Sequence, residues 1–85
     1  MKKDLAVKRN LDLLNEFMKY VFTNPKILES IPPETELVIL PSDDQELCEY
    51  NKKTAHKILS KGKKVIYVKM KRPQIPTLEL EVMSA

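Results

Sequence analysis

The fold is decided by the stretch from Glu36 to Lys71, which reads ELVILPSDDQELCEYNKKTAHKILSKGKKVIYVKMK. Glu36–Leu40 is predicted to be a strand, because its continuous apolar run is typical of a strand that is covered on both faces. Pro41 ends this strand, and Lys64–Lys71 is predicted to be a second strand. A helix fills the interval between them. The order strand, helix, strand predicts a right-handed parallel βαβ unit.

The helix between the strands has a signal at each end. Ser42 or Asp43 is predicted to cap its start, because a hydroxyl or carboxylate there accepts a hydrogen bond from a free backbone N–H group. Gly62, the only glycine in the chain, stands after its end, where a left-handed C-cap residue belongs. We expect two polar residues of this helix, Asn51 and Thr54, to satisfy backbone groups. The stripe predicted to face inward consists of Leu47, Asn51, Ala55, Ile58 and Leu59.

A long amphipathic helix is predicted ahead of this unit, from Asp4 to Phe22. A short helix then begins at Asn24-Pro25 and ends at Ile31, because the proline that follows disfavours helix in the residue before it. The core-facing stripe of the long helix is predicted to consist of Val7, Leu11, Leu14, Met18 and Val21, widened by Phe17 and Phe22.

The tail after residue 72 carries an alternating pattern. Thr77–Met83 places Leu78, Leu80 and Val82 against two glutamates, which is typical of a half-buried strand. The predicted fold is therefore α/β, with the order helix, short helix, strand, helix, strand, strand and a small three-stranded mixed sheet. Residues 1–85 form one domain, in which residues 1–71 hold the helix and the βαβ unit. Residues 72–85 form a tail strand that pairs within the chain or is exchanged between subunits.

Composition predicts a small soluble domain. The 85 residues are 42% hydrophobic and 32% charged, as in globular proteins. A chain of this length buries only roughly 60–65% of its unfolded surface, so marginal stability is expected unless a second copy contributes. No apolar run approaches the roughly 18–20 residues that span a bilayer. Since Met1–Asn10 lacks the apolar core of a signal peptide and Cys48 is the only cysteine, we expect a cytoplasmic protein.

Charge is sorted along the chain. Seven acids and no lysine or arginine lie between Ile27 and Asn51, whereas nine basic residues and no acid lie between Lys52 and Arg72. Such sorting indicates a nucleic-acid surface, a self-complementary association surface, or electrostatics at helix ends alone.

The acidic cluster after the first strand has two interpretations. Asp43, Asp44 and Glu46 supply the oxygen ligands that Mg²⁺ or Ca²⁺ prefers, at the edge of a parallel sheet where ligands bind. We favour the alternative, in which they cap the helix and complement its positive end, because no second carboxylate group follows the other strand.

The basic block also has two interpretations. Lys53, Lys57, Lys63 and Lys64 are candidate phosphate contacts for a nucleic acid. We favour a solvated face near the negative end of the helix, since the chain has only two arginines and no aromatic set for base stacking.

No pattern typical of an enzyme is present. Cys48 and His56 are eight residues apart on one predicted helix, which is too distant and too oblique for a catalytic pair. His56 is expected to be exposed, and Cys48 to be a small buried or half-buried side chain. The sequence therefore predicts a protein without catalytic activity and without a cofactor.

A set of spaced residues connects the chain to a known family. It comprises Ile31-Pro32, the run Glu36–Asp44, Glu46-Leu47, Asn51, Ala55 and Gly62–Val65. With this set the chain resembles a family of short uncharacterised prokaryotic proteins, over most of its length. The resemblance implies a compact α/β domain, and it implies no site residues because the family has no assigned activity.

Two functions remain as hypotheses, ahead of a divalent-metal enzyme centred on the acidic cluster. The first is a non-enzymatic interaction module that forms a homodimer or a higher oligomer, and the second is a nucleic-acid-associated accessory protein that uses the block Lys52–Arg72. Oligomerisation is expected because a small sheet leaves open edges that invite pairing. It is also expected because the long helix has a broader apolar face than one small sheet can cover, formed by Leu11, Leu13, Leu14, Phe17, Tyr20 and Val21. The interface residues predicted for it are Leu37, Ile39, Leu78, Leu80 and Val82.

Overall fold

The computed structural model describes residues 1–72 and 80–84. The chain begins with helix α1 and continues through a short 3₁₀ helix into strand β1, helix α2 and strand β2. These elements span Lys3–Thr23, Pro25–Ser30, Thr35–Pro41, Gln45–Ser60 and Lys64–Met70 respectively. β1 and β2 are hydrogen-bonded parallel neighbours, so the predicted parallel βαβ unit is confirmed.

The prediction of a three-stranded sheet is wrong. Among the described residues the sheet has two strands, and Leu80–Ser84 do not belong to a strand. Thr77–Glu79, which include Leu78, lie outside the described residues. Leu80 and Val82 are 93% and 94% exposed, so the described part of the chain does not cover the apolar side of the tail. An alternating pattern indicates which side of a strand can be buried. A strand must also pair with the edge of another strand, and the pattern does not say whether such an edge is within reach.

The two helices cover opposite faces of the sheet because side chains alternate along a strand. Ile39, level with Val68 of β2, belongs to the cluster beneath α1. Val38 and Leu40 point the other way and pack with Ala55 of α2. The continuous apolar run of β1 therefore reflects cover on both faces, as expected.

The predicted inward stripe of α1 is wrong in its phase. Of the predicted members only Phe17 and Val21 are buried, together with Ala6 and Leu13, whereas Val7, Leu11, Leu14, Met18 and Phe22 are exposed. The true stripe is rotated by about 90° from the predicted one, at 3.6 residues per turn. Its line runs through Asn10, which is half-buried and pairs with Asn51. A stripe chosen from apolar residues alone passes over this asparagine, and the adjacent apolar residues then dominate the pattern.

Helix α2 differs from its prediction at the start and near its end. Its N-cap is Asp44, whose Oδ1 accepts a hydrogen bond of 3.1 Å from the backbone N–H of Leu47. The predicted cap residue Ser42 instead donates its backbone N–H to the carbonyl of Met70. Leu59 is exposed because it lies at the margin of the buried line of Leu47, Asn51 and Ala55.

The end of α2 confirms the predicted role of the single glycine. Gly62 has a φ of +80° and donates its backbone N–H to the carbonyl of Leu59. A side chain at this φ costs about 1 kcal/mol or more, which glycine avoids. Within the described ranges, no helix is both long enough and apolar enough to cross a membrane.

Candidate functional site

The acidic cluster and both arginines of the chain meet at the carboxyl end of the sheet. We call residues 42–46 the acidic turn, since they connect β1 to α2. Arg9 of α1 lies 3.5 Å from Asp44 and 3.4 Å from Glu46, and Arg72 lies 2.8 Å from Asp43. The acidic turn thus links α1 on one side to the segment that follows β2 on the other.

These contacts account for all three candidate metal ligands. Asp44 also caps α2, and each carboxylate has a guanidinium within ion-pair distance. The described part of the chain contains no group of three histidine, cysteine or acidic side chains that is placed to hold a metal ion. The Asp43–Arg72 pair is the shortest and least exposed of the three, while the pair of Arg9 with the exposed Glu46 contributes little. The ion pairs and the helix cap suit a structural role, in which the acidic turn holds α1 and the segment after β2 in place, better than they suit a metal centre.

An open cleft of about 530 Å³ lies beside the acidic turn, at the carboxyl end of β2. We call it the β2 cleft. Its walls are mainly apolar and its rim is basic, which is the lining that suits a ligand with an apolar body. Two of the rim cations already have partners, since Lys19 pairs with Glu16 at 3.2 Å and Arg72 with Asp43. The lining residues are Glu16, Phe17, Lys19, Tyr20, Ile27, Val68, Lys69, Met70, Lys71 and Arg72.

The sequence reasoning missed the β2 cleft because it predicted the wrong buried face for α1. With the predicted phase, Phe17 only widened the inward stripe, and Tyr20 was expected only as part of the apolar face that a second copy covers. The available signal was the spacing of Ala6, Leu13, Phe17 and Val21, which is an equally regular line once a polar member at position 10 is allowed.

The four candidate nucleic-acid contacts lie in two separate places. Lys53 and Lys57 are exposed and one turn apart on α2, whereas Lys63 and Lys64 lie near the amino end of β2. A shallow cavity beside the second pair is also lined by two acids, Glu34 and Glu36. The basic residues therefore do not form one uninterrupted positive surface. The exposed His56 lies on the same helix, and Cys48 is half-buried.

Two asparagines join α1, β1 and α2. Asn51 is 5% exposed and donates its amide to the carbonyl of Ile39 and to Oδ1 of Asn10, both at 2.8 Å. Asn10 donates its own amide to Oδ1 of Asn51 at 3.0 Å. The expectation that Asn51 satisfies a backbone group is confirmed, and Thr54 does the same for the carbonyl of Tyr50.

The asparagine pair lies in a groove along the edge of β1. The groove is lined by residues of α1, β1 and α2 and by none of β2, so it follows the side of β1 that faces away from β2. Of the interface residues predicted on β1, Ile39 is buried beneath α1 and Leu37 is half-buried against the same core. Ile39 therefore has little exposed surface for contact with a partner, and Leu37 has only part of its surface exposed.

A row of exposed apolar residues runs along α1 beside this groove. We call it the α1 stripe. Its members were predicted to face the core, although the apolar face of this helix was also expected to exceed what one small sheet can cover. Leu14 of the α1 stripe also lines the groove. The members and their exposed fractions are Val7 (50%), Leu11 (61%), Leu14 (44%), Met18 (41%) and Phe22 (80%).

Comparison with known proteins concerns the chain as a whole. A family model described as "Family of unknown function (DUF5647)" matches residues 6–81, which include most of α1, the whole of α2 and both strands. Comparisons with curated proteins and with solved structures find no match. The resemblance inferred from the sequence, to a family without an assigned activity, is confirmed. The chain belongs to DUF5647, a family of unknown function.

Proposed function

We propose that this protein is a non-enzymatic interaction module that works as a homodimer or a higher homo-oligomer. The observation that supports this proposal is the α1 stripe, where five neighbouring large apolar side chains of one helix are exposed. Exposed apolar residues that are scattered singly need no explanation, but a contiguous apolar row marks a contact surface. Burying a Leu or Met side chain fully contributes about 1.5–3 kcal/mol, and each member has part of this still to gain.

The size of the chain adds support. A domain of 85 residues has a small core, and here α1 contributes only four buried residues to it. The exposed apolar side chains at positions 7, 11, 14 and 18 enlarge that core when a second copy covers them. Since binding stabilises the folded state, association offsets the marginal stability expected of a short chain.

The absence of catalysis is part of the proposal and rests on the acidic turn. Each of its three carboxylates lies within ion-pair distance of an arginine, and Asp44 also caps α2, so these groups have structural roles that need no substrate. A cytoplasmic setting is also proposed, on the single half-buried cysteine and the charged composition.

The nucleic-acid hypothesis has less support, because Glu34 and Glu36 stand beside Lys63 and Lys64. A chromatographic test separates the two. A nucleic-acid binder loses affinity steeply as salt rises, and reversing the charges of Lys53, Lys57, Lys63 and Lys64 together abolishes its retention on DNA or RNA. We expect weak retention that the reversal of these charges does not change.

Sedimentation equilibrium at micromolar concentrations tests self-association directly. The expected mass is a multiple of the 9.9 kDa of one chain, and a mass of one chain over the whole range would refute the proposal. The double variant Leu11→Gln, Leu14→Gln should shift the protein towards monomer. The matched control is Asp12→Gln, Lys19→Gln, which places the same side chains on the polar side of the same helix and should leave the mass unchanged. Circular dichroism checks that both variants remain folded.

A further inference from the structure

We infer that the α1 stripe pairs with the α1 stripe of a second copy in antiparallel orientation, about a two-fold axis midway between Leu11 and Leu14. The inference rests on the proposed self-association and specifies its geometry. It begins from spacing. Val7, Leu11, Leu14 and Met18 follow intervals of four, three and four residues, which is the heptad spacing of an apolar seam between two helices.

Helix α1 thus carries two apolar lines side by side. The line through Leu13 and Phe17 is buried on the chain's own sheet, and the line through Leu11 and Leu14 is exposed. The exposed line extends over about 17 Å from Val7 to Met18, at 1.5 Å per residue. A straight row of this length matches another helix better than it matches a compact ligand.

The outer edge of β1 is a poorer surface for self-association than the helix. Pairing through β1 would need its backbone groups, but the carbonyl of Ile39 already accepts the amide of Asn51. Asn10 holds that amide in place through two further hydrogen bonds. A strand added here would have to displace the side-chain amide of Asn51, which is buried and has all its hydrogen-bond partners. Pairing with an edge whose backbone groups are free does not carry this free-energy cost. The second copy is therefore assigned to the helix, beside the asparagine pair.

Charge decides the orientation. In a parallel pair, position i of one helix flanks position i+5 of the other, which places Lys3 beside Lys8 of the second copy twice. Like charges at such positions destabilise the pair. In an antiparallel pair, Leu11 meets Leu14 and Val7 meets Met18, while Lys8 faces the neutral Asn15 of the second copy. Antiparallel helices also align their macrodipoles favourably.

Cysteine cross-linking tests this geometry. In a Cys48→Ala background, Val7→Cys and Met18→Cys are made as two separate variants, oxidised alone and as an equal mixture, and resolved on non-reducing gels. A disulfide requires Cα atoms within about 7 Å. We expect little covalent dimer from either variant alone and abundant covalent dimer from the mixture. The control is Asp12→Cys mixed with Lys19→Cys, two positions on the polar side, which should not cross-link.

Each other outcome has a defined meaning. Efficient cross-linking of Val7→Cys alone would overturn the antiparallel orientation. A dimer in sedimentation that yields no cross-link from any mixture would overturn the α1 interface and leave the proposed self-association standing. A monomer in sedimentation, measured on the unmodified chain, would refute the proposed function itself.

Discussion

Replacing Asn51 by alanine should destabilise this protein far more than a typical surface change. Asn51 is buried, and the substitution removes three hydrogen bonds, of 2.8, 2.8 and 3.0 Å. It also leaves the carbonyl of Ile39 and the amide of Asn10 without those partners. These hydrogen bonds connect α1, β1 and α2, so their loss destabilises the whole fold.

The magnitude follows from these groups. Leaving a buried donor or acceptor unsatisfied costs about 1–3 kcal/mol, and two groups are affected, one of which is only half-buried. Alanine regains up to about 0.7 kcal/mol through its higher helix propensity. The expected net loss in the free energy of unfolding is about 2–4 kcal/mol. For a domain of this size that corresponds to a fall in Tm of roughly 8–32 °C, at about 4–8 °C per kcal/mol.

Urea denaturation followed by circular dichroism at 222 nm measures this loss, at one fixed protein concentration because association affects apparent stability. Thr54→Ala is the matched control. It lies on the same helix, gains the same kind of helix propensity, and loses one exposed hydrogen bond to the carbonyl of Tyr50. We expect its free energy of unfolding to change by less than about 0.5 kcal/mol.

A double-mutant cycle sharpens the test. Asn10→Ala and Asn51→Ala remove the same reciprocal pair, so their effects should be non-additive by about 0.5–2 kcal/mol. The reasoning is refuted if Asn51→Ala costs less than about 1 kcal/mol, or if the two single effects add. Either result would mean that the asparagine pair does not hold α1 on the sheet.

Four further predictions follow from individual contacts. Asp43→Asn breaks the Asp43–Arg72 pair and should lower the free energy of unfolding by about 1 kcal/mol or less, with a smaller effect at high salt; an effect that does not vary with salt in urea denaturation would contradict an electrostatic origin. Gly62→Ala meets no atom within 4 Å but forces alanine to a φ of +80°, so thermal unfolding should show a loss of about 1 kcal/mol, and an unchanged Tm would disprove the backbone strain. Asn15→Glu places a carboxylate opposite Lys8 of the second copy and should tighten the antiparallel dimer by about two- to five-fold at low salt, measured by sedimentation, whereas Asn15→Gln should have no effect. Deleting residues 73–85 should leave the dimer intact, since α1 carries the proposed interface; a monomeric product would show instead that the tail is exchanged between subunits.

Local sequence determined the βαβ unit, with the bounds of both strands correct to within one residue. The proline that ends β1 and the glycine that ends α2 each act within a few residues, through backbone geometry that needs no distant partner. The family resemblance rested largely on the same stretch, and the family model that matches residues 6–81 confirms it. The place of the acidic turn after β1 was also readable, although its cap lies at Asp44, which is later than either residue predicted.

Tertiary structure alone decided what the remaining surfaces do. The phase of α1 depends on Asn10, whose burial is favourable only because Asn51, 41 positions away, supplies both a donor and an acceptor. The carboxylates of the acidic turn form ion pairs because folding brings Arg9 and Arg72 to them from distant parts of the chain. The tail has a clear strand pattern, yet its described residues remain outside the sheet. In each case the outcome depends on a partner that is distant in sequence, and residue spacing carries no information about which distant groups will meet.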